Sequence, residues 1–447
     1  MQYITMMDYV LLPFVLIVVY GIAYRIRNKY YPLKHPWRKY FIPGLTVKIF
    51  GAIFIGLIYQ YYYGGGDTFN FFAHTKVINS AWDESVVKWW NLVWHIPEKA
   101  NGNYYQYMIR LWWYDDLSSY AVAAVAAVVG LLTFTTYLPT AVLFAAISFT
   151  GVWALFRSFA NLYPKLVKPV AIATLFIPST FVWGSAIFKD TLCMLGLGWL
   201  TYSIFRLLIK KDFSPKNIII ALLSAWLISV IKLYILVSFI PALTFWLLFI
   251  YLKNIKKRPQ RILARFVMLG IMIGVFFVMA RTLANEMGQY SLENIASTAA
   301  ATSGWTQYAS GDEGASYTLG SFDPSMVGMI SKMPLAIITT LFRPFLWEAG
   351  KVIVLLSALE ALLFLFITLK VLFSIGLKKI WRTISTDPTI QFCFIFAFIF
   401  AFAVGVSTGN FGALSRYKIP CLPFYALAIL LIYYKSKPGA KKLFTFI

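Results

Sequence analysis

Asp67 stands in the stretch GGGDTFN, directly after an apolar run and behind three consecutive glycines. A carboxylate in that setting has two compatible readings. As a helix cap it accepts backbone N–H bonds at the start of TFNFFAHT, the glycines allowing a tight turn. As a general base at a membrane–water boundary it takes the proton of an acceptor hydroxyl. His74 falls on the same helical face two turns on, where a hydrogen-bonded surface histidine is the plainer expectation. Asp115 and Asp116 could bind a metal or share acid–base duty, or cap a helix and stay solvated. Lys189 and Asp190 close the segment PSTFVWGSAIFKD. One could clamp a phosphate while the other orients it, or the two could form a local ion pair in a hairpin turn.

Further cations follow at span ends: Lys232 in KLY, Arg343 in LFRPFLWE, and Arg416 and Lys418 in GNFGALSRYKIP. Interfacial snorkelling accounts for one or two of these. Four of them, together with Lys189, make a set suited to an anionic head group. Arg343, followed by Pro344 and near Glu348, is a rigid, pairable unit. Gly409 and Gly412 around Asn410 would let backbone approach a ligand closely. Glu360, within SALEALLFLF, is an intramembrane carboxylate, hence a functional candidate or a partner for a neighbouring helix. Lys48 is expected to snorkel from the cytoplasmic end of its span. Zinc, P-loop, Rossmann and hydrolase-elbow motifs are missing from supported positions, so intracellular nucleotide chemistry is not indicated. A divalent metal stays open.

These residues must be positioned by helices. The 447 residues are 60% hydrophobic and 13% charged, whereas a soluble domain is about 25% charged. Apolar runs recur from end to end, which makes the chain an all-α polytopic membrane protein and a single integral domain, 1–447. Predicted spans are 7–24, 41–60, 120–137, 139–158, 171–188, 190–208, 217–232, 234–252, 263–281, 350–372, 389–406 and 419–434. The first is expected to be retained, since MQYITMMDYVLLPF lacks a basic leader and a cleavage site. The net charge of +23 sits in short loops, where it sets topology and meets anionic lipid, so no nucleic-acid partner is expected. Basic loops around 25–39, 206–216, 253–265, 378–382 and 435–442 then lie in the cytoplasm. The opposite face gathers nearly all the acids, including Asp67, Asp115, Asp116, Asp190 and Glu348. Cys193, Cys393 and Cys421 read as small core residues.

The crossing count conflicts at one place. Asp67 outside and the basic segment 156–168 inside allow one crossing between them, yet 120–137 and 139–158 both look like spans. Either one is re-entrant, giving eleven crossings, or another crossing hides within 82–119. Two loops on the Asp67 face are long, 61–119 and 282–349. The aromatic content of the first predicts helices lying at the membrane surface.

An acid after a span that opens a large external loop resembles the GT-C superfamily of multi-spanning glycosyltransferases, which includes protein mannosyltransferases and the lipid A aminoarabinose transferase. The ending SRYKIPCLPFYALAILLI is similar to the R-Y-[RK]-x-P-x-x-P-F ending of bacterial members. PSTFVWGSAIFKD and LFRPFLWE also look like recurring features of poorly characterised bacterial relatives. The extra span before Asp67, the lack of a clear Asp-x-Asp, and a long outer region inside the chain rather than as a C-terminal soluble domain depart from the pattern. The resemblance implies a polyprenyl-phosphate-linked sugar as donor, a glycan, lipid or protein acceptor, and a site on the extracytoplasmic side of a bacterial inner membrane. It also implies inverting displacement, with Asp67 as base and Lys189, Arg343 and Arg416 stabilising the leaving phosphate. Rival expectations are a polymerase of lipid-linked oligosaccharides, a transporter or flippase of an anionic lipid-linked sugar, and a non-catalytic envelope scaffold.

Overall fold

The computed structural model describes residues 3–253, 257, 259–260, 262–264, 266–267, 270, 295–308, 316–320 and 325–437. Most of the predicted span 263–281 and much of the loop 282–349 lie outside the described residues. The chain falls into two compact units, Met1–Leu233 and Tyr234–Ile447. It is a multi-pass membrane protein of helices: seven in the described residues are long and apolar enough to cross a bilayer, or eight if the bent pair Phe411–Tyr417 and Leu422–Ser436 counts as one span.

The first unit begins with α1 (Met6–Tyr30) and α2 (Arg38–Tyr61). Gly64, Gly65 and Gly66 follow with φ of 69°, 158° and 127°, a run that L side chains rarely adopt. Gly66 takes the N-cap position of α3 (Asp67–Glu84). Asp67 is therefore the first helical residue rather than the cap, placed where the helix dipole favours an anion. Helices α4 (Val86–Val93), α5 (Tyr105–Met108) and α6 (Leu117–Leu131) follow. They close a core with α3 around Ile78, Leu92, Leu111, Tyr120, Ala123 and Ala127.

The expected span 120–137 is thus only α6, 15 residues and about 22 Å long, short of the roughly 30 Å hydrocarbon thickness. Phe134 and Thr135, both at positive φ, turn the chain sharply before α7 (Tyr137–Leu162). The span expected at 171–188 is also interrupted. It consists of α8 (Val167–Leu175) and α9 (Pro178–Trp183), the break falling before Pro178, which cannot donate a backbone hydrogen bond. Helix α10 (Lys189–Ile204) continues in a π turn, Phe205–Ile209. Helix α11 (Pro215–Lys253) joins the spans expected at 217–232 and 234–252, with non-helical backbone at Lys232 (φ −149°, ψ 80°).

Helix α7 is the most enclosed of the spans, and glycines let it and its neighbours pack closely. A Cβ on Gly198 of α10 would lie 1.9 Å from the Gly151 carbonyl oxygen of α7, and one on Gly51 of α2 would lie 2.0 Å from the Phe181 oxygen of α9. Small residues that let backbones touch are how helices associate in lipid, where apolar burial gives little net drive.

In the second unit the long helices are Val352–Ile375 and Pro388–Ser407. The three cysteines are buried and free. Gly198→Ala is expected to lower the thermal midpoint of the purified protein by forcing α7 and α10 apart. Gly21→Ala, where a Cβ meets nothing within 4 Å, should leave it unchanged. Equal midpoints for the two variants would contradict this packing.

Candidate functional site

Asp67 is half-buried, and the residues on either side of it meet aromatic rings. Its neighbour Thr68 places Oγ1 2.7 Å from the Tyr137 hydroxyl, and Phe69 stacks on Tyr3 at 4.4 Å. A Cβ on Gly66 would lie 2.6 Å from Tyr59 Cε1. The same Tyr59 ring meets Phe188 edge-on at 5.9 Å, and Phe188 precedes Lys189. The residues that precede Asp67 and Lys189, which open α3 and α10, thus both meet one tyrosine.

Lys189 and Asp190 do not pair locally. The Lys189 ammonium donates to Ser118 Oγ at 2.6 Å and lies 3.5 Å from Asp116 Oδ2. Asp116 caps α6, accepting from the backbone N–H groups of Ser118 and Ser119 at 3.1 and 3.2 Å. Burial works against its charge, but the Ser119 hydroxyl, Lys189 and Ser118 together hold its carboxyl below the usual range. Asp115 turns the other way, pairs with Lys99 and is 70% exposed. The two adjacent carboxylates therefore do not share a site.

Asp190 accepts from Lys232 at 2.5 Å, with side chains only 1% and 8% exposed. Ser148 of α7 packs beside this pair. Its hydroxyl donates to the Thr191 carbonyl at 3.0 Å, and Ser148 is about 16 Å along α7 from Tyr137. Asp190 is thus paired, enclosed beside α7, with a residue distant along the chain rather than with its neighbour Lys189, the local ion pair that was one expectation. Lys48 differs too: it is buried rather than snorkelling, and donates to the Gly184 carbonyl just after α9.

His74 is not a surface histidine. It is fully buried, with Trp112 edge-on at 4.3 Å and Trp113 stacked at 5.1 Å. Neither ring nitrogen has a hydrogen-bond partner among the described residues. Burial pushes its pKa down to about 4.

The remaining predicted residues belong to the second unit. Arg343 and Glu348 form an ion pair: Nε lies 3.1 Å from both carboxylate oxygens, and Nη2 also donates to Oε1. Burial works against the Glu348 charge, but Arg343 and the Phe345 N–H hold its carboxyl below the usual range. The guanidinium also faces the rings of Phe411, Tyr317 and Phe345 at 5.2, 5.5 and 5.9 Å. Tyr317 is held in turn by its N–H to Gly409 O at 2.9 Å and by Thr408 Oγ1 at 2.7 Å. Asn410 caps Phe411–Tyr417, accepting from Ala413 N at 2.9 Å. Lys418 is buried, with Nζ 3.3 Å from Arg343 O, and feels the charge of buried Glu360. Arg416 is half-buried in the last turn before the bend.

No group of three or more His, Cys, Asp or Glu side chains among the described residues is gathered as metal ligands. Sequence reasoning missed Asp8. Its carboxylate accepts from Leu138 N at 2.8 Å and from Thr5 N and Oγ1, tying α1 to α7. The Thr-x-x-Asp spacing of a capping box was its signal.

Two outcomes follow from these environments. Removing one partner of a buried ion pair typically costs about 3–5 kcal/mol, so Asp190→Asn should sharply lower the thermal midpoint, and Asp190→Asn/Lys232→Met should recover much of the loss. No recovery in the double variant would contradict a coupled pair. For His74, the depressed pKa means that between pH 6.5 and about 4 the unfolded chain takes up a proton that the folded ring refuses. Stability should fall as pH drops through that window, and fall less in His74→Phe; identical pH profiles of the melting temperature would contradict this.

Comparison of the chain with protein-family models, with curated proteins and with solved structures found no match.

Proposed function

We propose that the protein is a GT-C-type membrane glycosyltransferase, moving a sugar from a polyprenyl-phosphate-linked donor to an acceptor hydroxyl outside the cytoplasm. The observation that carries this reading is that Gly66 and Phe188, the residues preceding Asp67 and Lys189, both lie against Tyr59, near the end of α2 remote from the basic α1–α2 turn. In this reading the basic 25–39 turn is cytoplasmic and α6 does not cross, so that end faces outside a bacterial inner membrane. In this reading Asp67 takes the acceptor proton and the freed oxygen attacks the anomeric carbon. The bond from that carbon to the phosphate oxygen breaks, and Lys189 stabilises the charge on the departing polyprenyl phosphate. Asp116 and Ser118 hold the Lys189 ammonium where it is. Trp112, exposed beside His74, offers a ring on which a sugar can stack.

A specific observation favours a second reading, a transporter or flippase of an anionic lipid-linked sugar. Charged pairs within the helical layer beside broken helices are a transporter device, and Asp190–Lys232, with the break at Lys232, has that form.

Reconstitution with a polyprenyl-phosphate sugar separates the two. Asp67→Asn should lower sugar transfer at least about a hundredfold, the contribution of a general base, with an unchanged melting temperature. Full turnover in that variant contradicts the base. Movement of donor across the bilayer without any transferred sugar supports the second reading, and long products rather than single additions would make the enzyme a polymerase.

A further inference from the structure

The end of the first unit away from Asp67 holds a cavity of 520 Å³ between the α1–α2 turn and the segment leading into α8. That lies within the range of small-ligand pockets, about 300–1,000 Å³. Arg27, Arg38, Lys39, Lys165 and Lys168 line it, and no carboxylate is among its lining residues. The two arginines are fixed by neutral acceptors. Arg38 donates to Tyr31 O at 2.6 Å and to Asn28 Oδ1 at 2.8 Å, and Arg27 donates to the same Asn28 oxygen at 3.1 Å. Two guanidiniums sharing one amide oxygen repel each other, and the three lysines add to that repulsion. An anion in the cavity relieves it.

We infer that this cavity binds a phosphate-bearing head group. Arginine forks match phosphate oxygens in pairs, and the lysines supply further charge. Val18, Ile22 and Ile26 leave an exposed apolar stripe at four-residue spacing along α1, and the stripe ends beside Arg27. It offers an acyl chain a path along the helix while the phosphate sits among the cations, which points to a bilayer lipid over soluble phosphate. Basic pockets between membrane helices recognise anionic head groups in this way. The inference is independent of the chemistry proposed at Asp67.

The test is native mass spectrometry of the full chain in neutral detergent, titrated with phosphatidylglycerol, phosphatidylcholine or inorganic phosphate. Phosphatidylglycerol should be retained over phosphatidylcholine, and added salt should weaken it. Lys39→Gln/Lys165→Gln/Lys168→Gln changes three exposed side chains. At roughly fivefold per cation near the surface, it should bind phosphatidylglycerol about a hundredfold more weakly. Equal retention of the two lipids, salt-independent binding or an unaffected triple variant would overturn the inference. Inorganic phosphate binding as tightly as the lipid would keep the anion site and reject the bilayer as its source.

Discussion

A carboxylate inside a helical membrane layer is tolerated only when its charge is met, and the arrangement of the first unit follows from how Asp190 is met. Desolvating the ion costs several kcal/mol, which attraction repays only at short range and in good geometry. Lys232 supplies that partner by leaving helical backbone geometry in the middle of α11. The preceding residue, Lys189, reaches to Ser118 and Asp116 instead. Adjacent opposite charges at the start of α10 therefore tie it to α11 on one side and to the cap of α6 on the other. Thr75 and Asn79 of α3 donate to the Ala123 and Ala127 carbonyls of α6 at 3.1 Å each. The position of Asp67 at the start of α3 thus descends, contact by contact, from a buried ion pair.

The polar groups of the α3–α6 assembly divide sharply. Asn79 is saturated: besides Ala127 it donates to Thr135 Oγ1 and accepts from Trp89 Nε1, both at 2.9 Å. His74, little more than a turn earlier, is held by two tryptophan rings and kept neutral by burial. A network with every member satisfied fixes a core. A buried imidazole among rings, with both nitrogens open, costs stability, and such costs concentrate where a site is kept ready for a ligand.

The helical membrane class was legible because long apolar runs have few other physical outcomes. The role of the triple glycine was legible in kind, since consecutive positive φ values at 64–66 demand it. Asp67 as the opening residue of a helix and Asp116 as a cap were readable from their positions before apolar runs. Hydropathy could not distinguish a crossing from a short apolar helix packed on protein, which is why α6 read as a span. Nor could it see that Pro178 divides 171–188 or that Lys232 interrupts α11. The partners of Lys189, Asp190 and Lys48 were illegible for a different reason. Each is distant along the chain; local spacing suggested a Lys189–Asp190 pair and left Lys48 to snorkel. His74 was misread because the burial that defines it comes from Trp112 and Trp113, far along the same loop.

The central claim is that Asp67 and Lys189 face one reacting centre. The most direct measurement is an experimental structure of the full chain in lipid nanodiscs with bound polyprenyl phosphate. The account predicts the phosphate within hydrogen-bond distance of the Lys189 ammonium, with the Asp67 carboxylate facing the same space. A phosphate seated elsewhere in the first unit, with Lys189 still bound only to Ser118 and Asp116, would contradict it.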